Sequence, residues 1–157
     1  HIVLVGTKGA GLFISRDAGD SWTSCAQVSL GQGATVTSIT TTPDDQVILT
    51  DARKQVLIGD PSTDHWQEVA FPESFDGALL VRILDGEVLV ASPSGGLYSL
   101  DCSGAGATLN PLGWFEGLID AVDLTSNGTC WYLGMGRKGL AVSKNRGAQW
   151  HTLDLGY

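Results

Sequence analysis

Methionine is nearly missing from this chain. The only one is Met135, and the first residue is His1, so we expect a processed, excised or partial chain. No basic stretch followed by an apolar one marks a leader. Cysteine is scarce and odd in number, with Cys25, Cys102 and Cys130 and no Cys-x-x-Cys pair. That excludes a thiolate zinc site of the usual spacing and a disulfide framework. We read three small strand or loop residues, with one Cys102–Cys130 bridge as the alternative, and the redox compartment stays undecided. No apolar run reaches the roughly 18 residues of a membrane-spanning helix. Charge is low at 17%, and only 9 Lys and Arg stand against 17 Asp and Glu. The net charge of −8 argues against a nucleic-acid partner.

Glycine, by contrast, is abundant at 21 residues, there are five tryptophans, and 43% of the chain is hydrophobic. Glycine and tryptophan together favour short strands and tight turns, and the apolar content suffices for a packed core. No segment sustains a 3.6-residue apolar period with caps, so almost no helix is expected.

The chain repeats itself. VGTKGAGLFISRDAGDSW (5–22) and LGMGRKGLAVSKNRGAQW (133–150) share Gly6 with Gly134, Gly11 with Gly139, Leu12 with Leu140 and Ser15 with Ser143. They also share Gly19 with Gly147 and Trp22 with Trp150, three periods of about 43 residues apart. Weaker copies stand at 55–66, ending in Trp66, and at 95–101. Each period reads as four strands. The first are 35–42, 78–84 and 118–124; the second 2–7, 46–51, 87–92 and 129–135. The third are 11–17, 55–60, 96–101 and 139–145; the fourth 21–28, 65–70, a weak 106–111, and 149–155. Val, Ile, Leu, Thr and aromatic residues fill them. Asp85-Gly86 and Asn127-Gly128 are hairpin signals between them. Asn127-Gly128-Thr129 is also a glycosylation sequon, which the turn alone explains.

Four-stranded meanders at this spacing are propeller blades. The expectation is an all-β chain, a β-propeller of about four four-stranded antiparallel blades. Its repeat units are about 1–34, 35–76, 77–116 and 117–157 of a single domain or propeller fragment, with the first blade lacking its innermost strand. A partial propeller, or one completed by self-association into a homo-oligomer, follows, because an open apolar side is poorly tolerated by a soluble monomer.

The segments Ser15-Arg16-Asp17-Ala18-Gly19-Asp20-Ser21-Trp22 and Ser143-Lys144-Asn145-Arg146-Gly147-Ala148-Gln149-Trp150 resemble Asp-boxes, or BNR repeats, of pattern Ser/Thr-x-Asp-x-Gly-x-x-Trp. The second carries Asn145 in place of Asp, and the copy at 59–66 keeps only Trp66. Sialidases, xyloglucan-degrading glycosidases, sortilin-type receptors and Ycf48-type photosystem II assembly factors carry such repeats. The two long phrases are most similar to the Ycf48-like, or WD40/YVTN/BNR-repeat, group. The resemblance implies a mostly non-enzymatic propeller of the periplasm, exterior or cell surface. It also implies that Ser15, Asp17, Gly19, Trp22, Ser143, Asn145, Gly147 and Trp150 are structural. The residue chemistry agrees: an Asp or Asn side chain accepts turn amides, and glycine permits positive φ.

Catalysis finds little support. Arg16, Arg53, Arg82, Arg137 and Arg146 do not form a sialidase-like triad, since Arg16 and Arg146 fall within the boxes. No carboxylate pair sits in a recognisable context. His65 and His151 read as solvated edge residues, and His1 has no evident partner for a metal. We therefore expect no catalytic residue, no metal and no cofactor. One face is more informative. The loops between second and third strands hold Lys8, Arg53, Lys54, Arg137 and Lys138, five of the nine basic residues. The 110–117 loop adds Trp114 and Phe115 to the same face. A cationic rim with aromatics suits an anionic or carboxylate-bearing protein partner, and the Ycf48-like resemblance implies the same use of a basic face. Trp114 filling a gap beside the weak fourth strand is the competing expectation. The function so expected is a non-catalytic interaction module, scaffold or assembly subunit; a fragment of a sialidase- or glycosidase-like or glycan-binding propeller is the alternative.

Overall fold

The computed structural model describes residues 1–25, 30, 33–63, 65–71, 75–101, 108–115, 122–153 and 155–156. Among the described residues, fifteen short strands fall into four antiparallel sheets. The first holds β1 (Val3–Gly6), β2 (Leu12–Ser15) and β3 (Thr23–Ser24) in that order. The second holds β4 (Val36–Thr41), β5 (Val47–Asp51), β6 (Val56–Asp60) and β7 (His65–Glu68). The third holds β8 (Leu80–Leu84), β9 (Glu87–Ala91), β10 (Gly96–Asp101) and β11 (Thr108–Trp114). The fourth holds β12 (Val122–Ser126), β13 (Trp131–Met135), β14 (Leu140–Ser143) and β15 (His151–Leu153). Each sheet is a meander in which consecutive strands pair, the architecture of a propeller blade. Among the described residues the first sheet has three strands, with β1 at its edge. A single 3₁₀ turn, Gly136–Lys138, is the only helical element among the described residues.

Two compact units, 1–70 and 71–157, each hold two sheets. In the first, Leu12, Cys25, Leu30, Ala34, Leu49 and Leu57 form the core, with Leu4, Val36, Ile39 and Trp66 packed on it. In the second, Leu80, Leu89, Leu97, Leu124, Trp131 and Leu133 belong to the core, with Leu112, Phe115 and Trp150 packed on it. The sequence pattern explains the strands. Val47-Ile48-Leu49-Thr50-Asp51 is an unbroken apolar run ending polar, and all five residues are buried, as in a strand covered on both faces. Trp131 to Met135 instead alternates buried and half-buried. Asp85 and Gly86 both adopt positive φ, 51° and 85°, the hairpin geometry that Asp-Gly favours.

One expected strand is longer than its expected bounds, and two lie partly outside the described residues. The weak 106–111 strand is the seven-residue β11, which takes in most of the presumed 110–117 loop. Pro111 is tolerated because β11 is an edge strand paired only with β10. The register shifts opposite Leu97 and Tyr98, leaving Leu112 as an extra residue. The fourth-period strand expected at 118–124 is β12, Val122–Ser126; residues 118–121 lie outside the described ones. The strand expected at 21–28 is only two residues long where described, Thr23–Ser24. Cys25 is buried and Cys130 half-buried, both as thiols; Cys102 lies outside the described residues, and so does the bridge considered for it.

Candidate functional site

The two Ser-x-Asp/Asn-x-Gly turns have one hydrogen-bond plan. Ser15 Oγ donates to Asp17 Oδ1 (2.7 Å) and accepts from the Gly19 amide (2.8 Å). Asp17 Oδ1 accepts the Ser21 amide (2.9 Å) and Oδ2 the Ser21 hydroxyl (2.6 Å). In the second copy Ser143 Oγ donates to Asn145 Oδ1 (3.0 Å) and accepts from Gly147 N (2.8 Å), while Gln149 N donates to Asn145 Oδ1 (2.8 Å). Ala18 and Gly19, like Arg146 and Gly147, take positive φ. The hydroxyl and amide bonds from Ser21, then the Ser15 bond, hold the Asp17 carboxyl far below the ordinary carboxylate range. The tryptophans diverge. Trp22 is exposed and its Nε1 donates to Gly19 O (3.1 Å). Trp150 packs edge-on to Phe115, ring centroids 5.6 Å apart, and its Nε1 is buried with no acceptor among the described residues.

The copy at 59–66 keeps a turn by another route. Asp60, one residue earlier than the pattern predicts, accepts both Ser62 N (2.8 Å) and Ser62 Oγ (2.6 Å), and these bonds lower its carboxyl from the usual value. Arg16 reaches from the first sheet's turn to Pro61 O (2.8 Å) beside it.

At the opposite ends of the strands lie the basic loops. In the first unit, residues 7–11 and the turn after Asp51 are stitched to one segment. Gly9 N and Gly11 N donate to Ala34 O, Val36 N to Thr7 O, and Ala52 N to Thr35 O. Lys8, Arg53 and Lys54 therefore stand on loops anchored side by side, and Lys8 and Lys54 are exposed. Arg53 is exposed along its side chain (52%), while its Nε bonds Asp51 Oδ2 at 2.7 Å and the Asp51 side chain is 1% exposed. Asp51 Oδ1 also accepts Arg53 N and Gln55 N, so this carboxylate latches the turn.

In the second unit Trp114, Phe115 and Lys138 come together. They line a cavity of about 410 Å³ with Met135 and Thr152. Trp114 is 63% exposed, so it does not fill a gap in the core. Arg137 stands in the Gly136–Lys138 turn, with its side chain outside the described ones. Sequence reasoning missed Met135 and Thr152 as lining. The repeat held the signal for Met135, because it occupies the place of Thr7, Asp51 and Ser92. It also missed Asp85, whose Oδ2 accepts Trp131 Nε1 (2.7 Å) and Ser126 Oγ (3.0 Å), pinning the third sheet's hairpin to the fourth sheet. No group of three or more His, Cys, Asp or Glu able to hold a metal occurs among the described residues. No described helix is long and apolar enough to cross a membrane.

The four meanders make this a β-propeller chain. Solved propellers agree with that assignment. "YCF48 bound to D1 peptide" superposes with a TM-score of 0.73 at 14% identity, covering 99% of this chain and 51% of that one. A chain of the "Mitotic Checkpoint Complex" gives 0.73 at 13% identity, covering 99% and 48%. YCF48 from Cyanidioschyzon merolae gives 0.67 at 14% identity, covering 96% and 55%. The chain thus spans about half the length of the solved chains it matches. Identities this low define the fold alone. No protein-family model matches the chain, and neither does any curated protein sequence.

Proposed function

We propose that this chain is a non-catalytic, protein-binding propeller module, a scaffold or assembly subunit of the Asp-box, Ycf48-like kind that acts in the periplasm, outside the cell or at its surface. The observation that carries the reading is the meeting of Trp114, Phe115 and Lys138 around one open cavity on the loop side of the second unit. Exposed aromatic area beside a cation is what protein interfaces concentrate. Within each unit the basic loops, with Lys8, Arg53 and Lys54 in the first and Arg137 and Lys138 in the second, are proposed to meet an acidic partner segment. The bound peptide in one YCF48 structure supports a peptide-like partner. The Ser15–Trp22 and Ser143–Trp150 turns, at the other ends of the strands, serve as staples. A second copy completing the sheet outside β1, where Val3 and Val5 are exposed, is part of the same proposal.

The test is site-specific photo-crosslinking in cells that express the chain. A crosslinker at position 54 or 114 should capture a discrete protein, and one at 144, in a staple turn, should not. Capture from 144 alone would reverse the face and defeat the assignment.

A further inference from the structure

The recess beside Trp114 is built differently from the corresponding corner of every other sheet. In the first three sheets β1, β5 and β9 run into their turns through a polar residue whose side chain helps to close it. Thr7 Oγ1 donates to Gly11 O (2.8 Å), Asp51 Oδ1 accepts Gln55 N (3.0 Å), and Ser92 Oγ accepts Gly96 N (3.0 Å). In the fourth sheet that place belongs to Met135, which is 4% exposed; the backbone bond from its N to Gly139 O (2.9 Å), which the other three turns also have, closes the turn with no side-chain latch beside it. A polar latch has been exchanged for a thioether wall. The second peculiarity is the bulge of β11. Its extra residue, Leu112, packs on the core, and Trp114 is left at the rim. Phe115 is held by its edge-to-face contact with Trp150.

We infer that this recess takes a large apolar side chain, aromatic by preference, from an acidic peptide segment. The inference rests on the protein-binding reading and names the partner chemistry at that site. Trp114, Phe115 and Met135 offer two rings and a polarisable sulfur, surfaces that favour an aromatic ring over a polar group. Lys138 sets one positive charge beside them, which selects a neighbouring carboxylate, and the Thr152 hydroxyl serves the peptide backbone. The volume lies at the small end of the roughly 300–1,000 Å³ range of ligand pockets, enough for one side chain and its flanking backbone. A sugar chain would need several hydroxyl partners. The described lining residues supply one ammonium and one hydroxyl, with no carboxylate.

The experiment is fluorescence anisotropy on the whole chain, with a labelled Gly-Asp-Phe-Asp-Gly amide as the probe. Two further peptides replace Phe by Ala, or both Asp by Lys. Saturable binding is expected only for the first. Trp114→Ala should weaken it by about tenfold. Lys138→Gln should weaken it by about three- to fivefold, and Lys144→Gln should leave it unchanged. Met135→Ser, which restores the polar latch, should weaken it; Met135 is a core residue, so this variant also lowers Tm and is read at a temperature where circular dichroism shows it folded. Trp114 is exposed, so its loss leaves the fold intact, and circular dichroism checks this. Equal binding by the Ala peptide, or affinity untouched by Trp114→Ala, overturns the inference. So does a neutral xyloglucan oligosaccharide binding where no peptide does. If crosslinks form at 54 and 114 while the probe does not bind, the recess assignment falls and the scaffold reading stands. If neither occurs, both fall.

Discussion

Asp17 and Asn145 hold the same place in two copies of one turn, yet only one of them titrates. The hydrogen bonds from Ser21 and Ser15 need an acceptor, and amide and carboxylate both provide it. Those bonds favour the ionised Asp17, so its folded pKa lies below its unfolded one. Its contribution to stability is therefore complete above about pH 4 and is lost as pH falls through the depressed folded value. Asp17→Asn should keep Tm near wild type at pH 7 and flatten its fall in acid, whereas Asp17→Ala should lower Tm at both. Thermal unfolding followed from pH 7 downward decides; an unchanged acid limb in Asp17→Asn would count against it. Trp131 is the other residue on which much depends. It is 1% exposed and donates to Asp85, whose carboxyl this bond and the Ser126 bond lower. Trp131→Ala should cost about 3–5 kcal/mol in denaturant unfolding. Trp131→Phe, which keeps the ring and drops the donor, should cost less and reduce the Asp85 share of acid sensitivity, the Ser126 bond remaining. No loss in Trp131→Phe would show that the bond contributes nothing.

Between elements, close approach is set by glycine. A Cβ at Gly59 on β6 would overlap the ring of Trp66 on β7, and one at Gly6 would meet Val36 Cγ1 at 2.5 Å. Gly59→Ala should therefore destabilise by about 1–3 kcal/mol by overpacking, measured by urea unfolding. An effect near zero would mean that β7 peels from the edge without cost. The strands themselves were legible, because Val-, Ile- and Leu-rich runs between Gly, Asp and Asn turns leave few alternatives. β11 was the exception. The weak strand was expected to stop at Pro111 and Gly113 read as loop; the edge position and the bulge, both tertiary facts, carry the strand on to Trp114. The same blindness put Trp114 in a loop.

At the scale of the molecule, charge and recognition oppose each other. The chain carries −8 overall, while five of its nine basic residues belong to the loops proposed for binding. Attraction to an acidic segment is then local and screened by salt beyond about 10 Å at 0.1 M. Affinity for the Gly-Asp-Phe-Asp-Gly probe should fall several-fold as NaCl rises from about 0.05 to 0.5 M. Salt-independent binding would assign the affinity to the aromatic contacts alone. Mass by light scattering tests the unfilled edge of β1: a dimer that Val5→Lys dissociates is the expected result, and a monomer at all concentrations would remove the second-copy proposal.

The sequence by itself determined the meander, because turn chemistry and apolar runs act over neighbouring residues and repeat with the period. It also determined the Ser15–Trp22 and Ser143–Trp150 turns, whose partners lie within a few residues. It could not show that Met135 and Thr152 share a cavity with Trp114, Phe115 and Lys138, or that Asp85 answers Trp131. Those meetings join strands distant in the chain. They depend on a bulge and on one exchanged latch, which only the packed tertiary structure brings into register.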